Sequence, residues 1–314
     1  LSAGPLMPLI LVVLLLPACS DAADETADTT PASTTTEAVA AATTAAANAT
    51  ATPPTMSSTT GAEAVVELPA PGEPWDVLYF GFDDLFTRLP AELYVERAVA
   101  ALGVEVRMTH PSGFEHLYAS SQLAQLRGER FPPLGEAARD AEIIVVLTRQ
   151  DNIQEGPMGR INDDYLRCTW EISPGNPPAD RPADYWDPYR QLMDDIYSEI
   201  WTLRQGLPTV LISIDFHMLD LAALREAGIA EACVEWWEEW SNQIAETASV
   251  HGSTMVSIFD LFNGQDHDID PTDLGLIGPT DEDPSIPPYR VNPAGAILIA
   301  DALAATGFEP ASQP

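Results

Sequence analysis

Five short runs of β-branched and aliphatic residues, each separated from the next by a helical pattern, constrain this chain more than any other feature. The runs lie at 76–80, 104–108, 142–147, 209–214 and 254–259. Each is short and mostly apolar, as strands covered on both faces should be. Helical patterns fill the gaps at 91–102, 115–127, 185–205 and 233–250, and Gly103, Gly206 and Gly252 follow three of them, the residue type that closes a helix in a left-handed conformation. A last helix follows the fifth run. Asn292 caps it, Pro293 suits its first turn, Ile297, Leu298 and Leu303 supply its apolar face, and Gly307 ends it. This alternation predicts an α/β fold, a three-layer doubly wound parallel sheet of about five strands of the flavodoxin-like kind. Ligands of such sheets bind beyond the carboxyl ends of the strands, so the residues after each strand are the site candidates.

Residues 150–183 break the alternation with Pro, Gly and Asp and are expected to form an insertion over the crevice. They contain Cys168. With Cys233 and Cys19 it makes up the chain's three cysteines. In an oxidising compartment a pair of cysteines in one domain predicts a disulfide, here Cys168–Cys233 pinning the insertion down. Trp236, Trp240 and Ile244 share one stripe of the helix over 233–250, which predicts core packing. Trp237 points off that stripe, where an exposed ring would suit sugar stacking.

The apolar run at 6–17 is too short for a bilayer span of roughly twenty residues. It ends in Leu16-Pro17-Ala18-Cys19, which resembles the lipobox of bacterial lipoproteins. The resemblance implies a signal peptide over 1–19, a diacylglycerol on Cys19 and an anchor on the outer face of a membrane of the cell envelope. Residues 20–64 are Thr, Ala, Ser, Pro and acidic residues with little to offset the entropy of ordering, and are expected to be a disordered stalk. The remainder, 65–314, is ample for one domain. Its partners are narrowed by a net charge of −34, with 14 arginines and no lysine. That balance speaks against nucleic acid and against an anionic membrane face.

At the predicted crevice the chain offers Gly81-Phe82-Asp83-Asp84 after the first strand and Gln150-Asp151-Asn152 after the third. His217 follows the fourth strand, and Arg290-Val291-Asn292 precedes the last helix. The order of these segments resembles the SGNH/GDSL hydrolases, in particular lipid-anchored bacterial members with a Thr-rich stalk. Trp75-Asp76-Val77-Leu78-Tyr79-Phe80-Gly81 is similar to the family's first strand leading to its Gly-Asp-Ser-Leu turn. Residues 143–147 followed by Gln150-Asp151-Asn152 are similar to its block ending in Gly-x-Asn-Asp, and Asn292-Pro293-Ala294-Gly295 to its closing stretch. The resemblance implies an esterase. It places the nucleophile at Asp83 or Asp84, the oxyanion-hole asparagine at Asp151 or Asn152, and the family's Asp-x-x-His pair at Pro287 and Arg290.

Those substitutions remove the machinery. Acyl transfer by a serine enzyme needs a hydroxyl, a base within hydrogen-bond reach and donors aimed at the developing oxyanion. Arginine accepts no proton at ordinary pH, proline offers no acceptor, and an aspartate puts negative charge where negative charge must develop. Losing the nucleophile or base costs roughly six orders of magnitude in turnover. The expectation is therefore a binding or structural module at the cell surface, in which Asp83 or Asp84, Asp151 and Arg290 meet as an ion pair or as a site for an envelope glycan or small polar ligand. Gly81, His217 and Asn292 are its further binding candidates. The alternative is an active esterase on envelope glycans or lipids with a displaced catalytic set, using His217 with Ser112, Ser120, Ser121 or Ser213. Asp83, Asp84 and Asp151 could also hold a metal, and the acidic loop 263–270 suits calcium. Pro271 and Ile277 stand where an EF-hand needs Gly and Glu, so that motif is excluded. No cofactor is expected.

Overall fold

Parallel pairing joins all five strands of this protein into one sheet in the order β2-β1-β3-β4-β5. The structure, a computed structural model, describes residues 73–80, 95–100, 103–110, 118–147, 156–169, 171–215, 219–281, 284, 290–311 and 313. The strands are β1 (Trp75–Phe80), β2 (Val106–Thr109), β3 (Ile143–Leu147), β4 (Val210–Ile214) and β5 (Thr254–Val256). The helices, in chain order, are α1 (Arg97–Ala100), α2 (Ala119–Leu126), α3 (Gly135–Asp140), α4 (Gly156–Thr169), α5 (Asp187–Arg204), α6 (Leu221–Ala227), α7 (Ala230–Val250), α8 (Ile258–Asn263) and α9 (Pro293–Ala305).

The central strands are buried as predicted, whereas the edge strand β2 alternates half-buried Val106 and Met108 with exposed Arg107 and Thr109. Every residue of β3 and β4 is buried, and Ile143 pairs with Val77 on one side and Val210 on the other. Helices α2 and α3 pack on α5, and α5 on α7, while α9 packs on α1 and α8. Two such groups supply the cover on both faces that a buried parallel sheet needs. The predicted fold class is therefore the observed one.

Helix α5 shows why the stripe rule works. Tyr189, Met193, Ile196, Tyr197, Ile200, Trp201 and Arg204 are its buried residues, recurring at three- and four-residue steps. Arg204, at its last turn, donates Nη1 to the carbonyls of Arg139 and Ala141 at 2.6 Å each and Nη2 to that of Pro208 at 2.5 Å. One guanidinium thus ties the turn before β3 to the turn before β4, at the edge of the sheet opposite the crevice. The helix then stops where Gln205 and Gly206 both take positive φ, 54° and 79°.

Two expectations are corrected. The fifth apolar run ends as a strand at Val256, because Ser257 caps a new helix: its side chain accepts the Asp260 amide at 3.1 Å. The expected irregular insertion contains the fourteen-residue helix α4, with Met158, Ile161, Asn162, Asp164, Tyr165 and Cys168 buried at helical spacing. The disulfide is the predicted one, Cys168–Cys233, with S–S 2.11 Å and Cα–Cα 5.5 Å, joining α4 to α7. Buried Asp164 seconds it. It accepts the Tyr185 hydroxyl at 2.8 Å, Arg167 Nη1 at 2.9 Å and the Ala179 amide at 3.1 Å. Beside it, Arg181 pairs with Glu235 and Glu239 of α7 at 2.8 and 2.7 Å.

The stripe of α7 is wider than expected. Trp236, Trp240 and Ile244 are buried, as predicted, and Trp237 is buried with them. Its ring lies 5.7 Å from Tyr165 and 5.2 Å from Trp240 between centroids, so it is core and no sugar platform. Covered by α4 as well as by the sheet, α7 has little free circumference on which a tryptophan could stay exposed.

Candidate functional site at the carboxyl edge of the sheet

The candidate site begins with the segment that leads into α9. Ile277 and Val291 form an antiparallel bridge, the Gly278 amide donates to the Arg290 carbonyl at 2.7 Å, and the Asn292 amide donates to that of Leu276 at 3.1 Å. Arg290 is fixed by this pairing. Its side chain is half-buried, and among the described residues Nε, which is buried, has no hydrogen-bond partner. A guanidinium only donates, so a buried N–H left open is a place for an acceptor.

Asn292 is buried, and its side chain is spent on the fold. Oδ1 accepts the amides of Ala294 and Gly295 at 2.9 and 3.2 Å, and Nδ2 donates to the Gly275 carbonyl at 2.9 Å. The cap read from the sequence is thus present, while the contacts give the suggested ligand-binding role nothing. Gly295 follows for a steric reason: a Cβ there would lie 2.4 Å from the Leu276 carbonyl oxygen and 2.8 Å from Val291.

The other crevice candidates, Gly81, Asp83, Asp84, Asp151, Asn152, Pro287 and His217, lie outside the described residues, as do Cys19 and Ser112. Two of the candidate serines are described with their partners. Ser213 is buried in β4 and hydrogen-bonds to Tyr197 and, at 2.7 Å, to Ser253. Ser121 accepts Arg130 Nη1 at 2.7 Å. Both hydroxyls serve packing, not a strand-to-helix nucleophile turn. Among the histidines, His251 bonds to Asp194 at 2.7 Å and stacks on Tyr197, again within the helical layer.

Asp215, which closes β4, was passed over in the sequence. It is fully buried, accepts the hydroxyls of Ser241 and Ser257 at 2.7 Å each, and accepts the amides of Ile258 and Phe259 at 2.5 and 3.3 Å. Burial pushes its carboxyl up to about 6, against the pull of those four hydrogen bonds. The signal in the sequence is an acid directly after the mostly apolar run 209–214, two residues before His217.

Asn263, the last residue of α8, is a second unforeseen hub. Its Oδ1 accepts the Leu219 amide at 2.8 Å, and its Nδ2 donates to the carbonyls of Leu219 and Ile269 at 3.0 Å. One buried amide therefore orders both the chain returning after β4 and the acidic loop. Within that loop Asp270 accepts the amides of Ala222 and Thr272 at 2.9 Å each, so it caps α6 rather than facing solvent. Burial alone would raise the Asp270 carboxyl, but these hydrogen bonds outweigh it and hold it below the usual range. Among the described residues no group of three His, Cys, Asp or Glu is arranged to hold a metal ion, and no helix is long and apolar enough to cross a membrane.

No protein-family model matches the sequence, and no curated protein matches it significantly. Among solved structures, the chain is similar to a lipase from a goat rumen metagenome at 11% identity, over 74% of this chain and 96% of that one, with a TM-score of 0.47. It is similar to the salicylyl-acyltransferase SsfX3 of a tetracycline biosynthetic pathway at 11% identity, over 75% and 56%, with a TM-score of 0.40. It is also similar to Est24, a carbohydrate acetylesterase from Sinorhizobium meliloti, at 14% identity, over 74% and 97%, with a TM-score of 0.36.

Proposed function

We propose that this chain is an exported lipoprotein anchored through Cys19, whose SGNH-hydrolase-like domain has given up the serine mechanism and binds a polar, acceptor-bearing ligand at the carboxyl edge of its sheet. The observation that carries this reading is Arg290. By the resemblance it falls at the position before the last helix where the family places its histidine base, and its buried Nε–H has no partner among the described residues. A donor-only group there supports ligand capture and opposes general-base catalysis. An envelope glycan bearing carboxylates, or a small polar ligand, presents suitable acceptors.

The test is a fluorophosphonate probe and short acyl esters offered to the full chain. The expected result is no labelled serine and no turnover above buffer. Covalent labelling of any serine overturns the reading in favour of an esterase with a displaced set, and then replacing His217 should abolish the activity. Anchoring is tested separately: metabolic labelling with palmitate should mark the wild type and leave Cys19→Ser unmarked.

A further inference from the structure

His267 sits in the turn after α8 at φ 50°, in the left-handed region that a non-glycine residue holds only where its surroundings fix it. The fixing groups come from two helices. Ring Nδ1 lies 2.7 Å from Glu238 Oε1 on α7, and Nε2 lies 2.8 Å from Asp260 Oδ1 on α8. The ring face stacks on Phe259 with centroids 3.9 Å apart and planes 18° from parallel. Ionised carboxylates only accept, so both ring nitrogens have to donate, and only the imidazolium carries a proton on each. A neutral ring forfeits one of the two bonds.

The carboxylates around the ring favour its proton. Glu238 faces it from α7 and Asp260 from α8, the turn itself carries Asp266 and Asp268, and buried Asp215 lies behind Ser257 at the start of α8. Arg225 of α6 is the nearby cation of the described set, and it is occupied by the Asp268 carbonyl at 2.5 Å. Burial of the ring opposes the charge, but the hydrogen bonds to Asp260 and Glu238 prevail and raise its pKa above the ordinary 6.5.

The same groups line a cleft of 280 Å³, walled by Glu238, Ser241, Asn242, Ser257, Asp260 and His267. The two ends of the turn are held independently of the ring. Gly264 turns the chain at φ 78°, with Ile269 packed close over it. The Ile269 amide donates to the Asn263 carbonyl at 3.1 Å, and Asp270 is fixed on α6. Residues 265–267 therefore form a short segment with secured ends, Gly264 on one side and the Asp268 carbonyl held by Arg225 on the other, and with the His267 ring as its side-chain fastening. We propose that this segment is a proton-controlled flap over the cleft, shut while the His267 imidazolium is clasped between Glu238 and Asp260, and released when that proton leaves.

The direction follows from linkage. A histidine whose pKa is raised in the folded state holds the flap fully below the unfolded value near 6.5 and lets go as the pH climbs through the folded value. Opening it would widen access to the half-buried Ser241 and Ser257 side chains, beside the already exposed Asn242, at neutral to alkaline pH. This device stands apart from the reading of Arg290, and either can fail without the other.

The test combines ¹⁵N imidazole shifts of the five histidines with hydrogen exchange of the full chain, corrected for the intrinsic pH dependence of exchange. His267 should titrate above 6.5. Protection of the residue-267 amide, which bonds to the Gly264 carbonyl at 3.1 Å, should drop at least tenfold across that titration while the Ile269 amide keeps its protection. His267→Gln should leave the residue-267 amide unprotected at every pH, and Glu238→Gln should move the whole transition to lower pH. Titration of His267 at or below 6.5 overturns the proposal, as does an exchange transition that persists in His267→Gln or stays in place in Glu238→Gln.

Discussion

The Ser257 hydroxyl donates to Asp215 Oδ2 at 2.7 Å and accepts the Asp260 amide at 3.1 Å, so one oxygen links the end of β4 to the first turn of α8. Asp215 itself accepts the two leading amides of that helix. The carboxylate lies at the positive end of the helix dipole, and burial still raises its pKa to about 6.

That balance makes Asp215 a source of pH-dependent stability. The native state binds its proton more tightly than the unfolded chain, so stability declines as the pH rises from near 3.8 to about 6. A shift of that size corresponds to roughly 3 kcal/mol. Asp215→Asn should remove this slope. In urea unfolding at pH 3.5 and pH 7, the free-energy difference between wild type and variant should change by about that amount; an unchanged difference would remove the carboxylate from the account.

Asn292→Ala should destabilise by about 2 kcal/mol, the upper part of the range for a lost cap, because the Gly275 carbonyl loses its donor as well. Asn292→Asp keeps the acceptor for Ala294 and Gly295 and should recover part of the loss. Chemical denaturation of the three proteins checks the order.

Reducing Cys168–Cys233 opens a loop of 65 residues. A crosslink of that length is worth about 2–4 kcal/mol. Calorimetry with and without a phosphine reductant should show a lower melting temperature for the reduced protein, and the double serine variant should match it. Asp164 and Arg181 should keep α4 in place, so circular dichroism at 25 °C should change little.

The centre of the sheet was legible because burial on both faces writes itself as a mostly apolar run, visible in residues 143–147 and 209–214. The fifth run misled, since Ile258 and Phe259 are as apolar as a strand but belong to a helix announced by Ser257 and Asp260. Helix α4 was hidden by its Pro157, Gly159 and charged residues, although its buried positions keep a three- and four-residue step. The site was harder to read. Asp215 and Asn263 act through partners 26 to 44 residues away, and no local pattern records such distances. The His267 clasp joins residues 238, 260 and 267 through one ring, and composition showed only an acidic loop.

The tryptophan cluster on α7 gives this protein a built-in optical reporter. Of its seven tryptophans, Trp75, Trp186, Trp201, Trp236, Trp237 and Trp240 are buried, so the native emission should be blue and should move strongly to the red on unfolding. Cys233 precedes Trp236 and Trp237 by about one helical turn, and its disulfide is an efficient quencher of indole fluorescence. Brightness and colour should then respond to different events: a rise in intensity at constant wavelength signals reduction of the bond, and a wavelength change signals loss of the core.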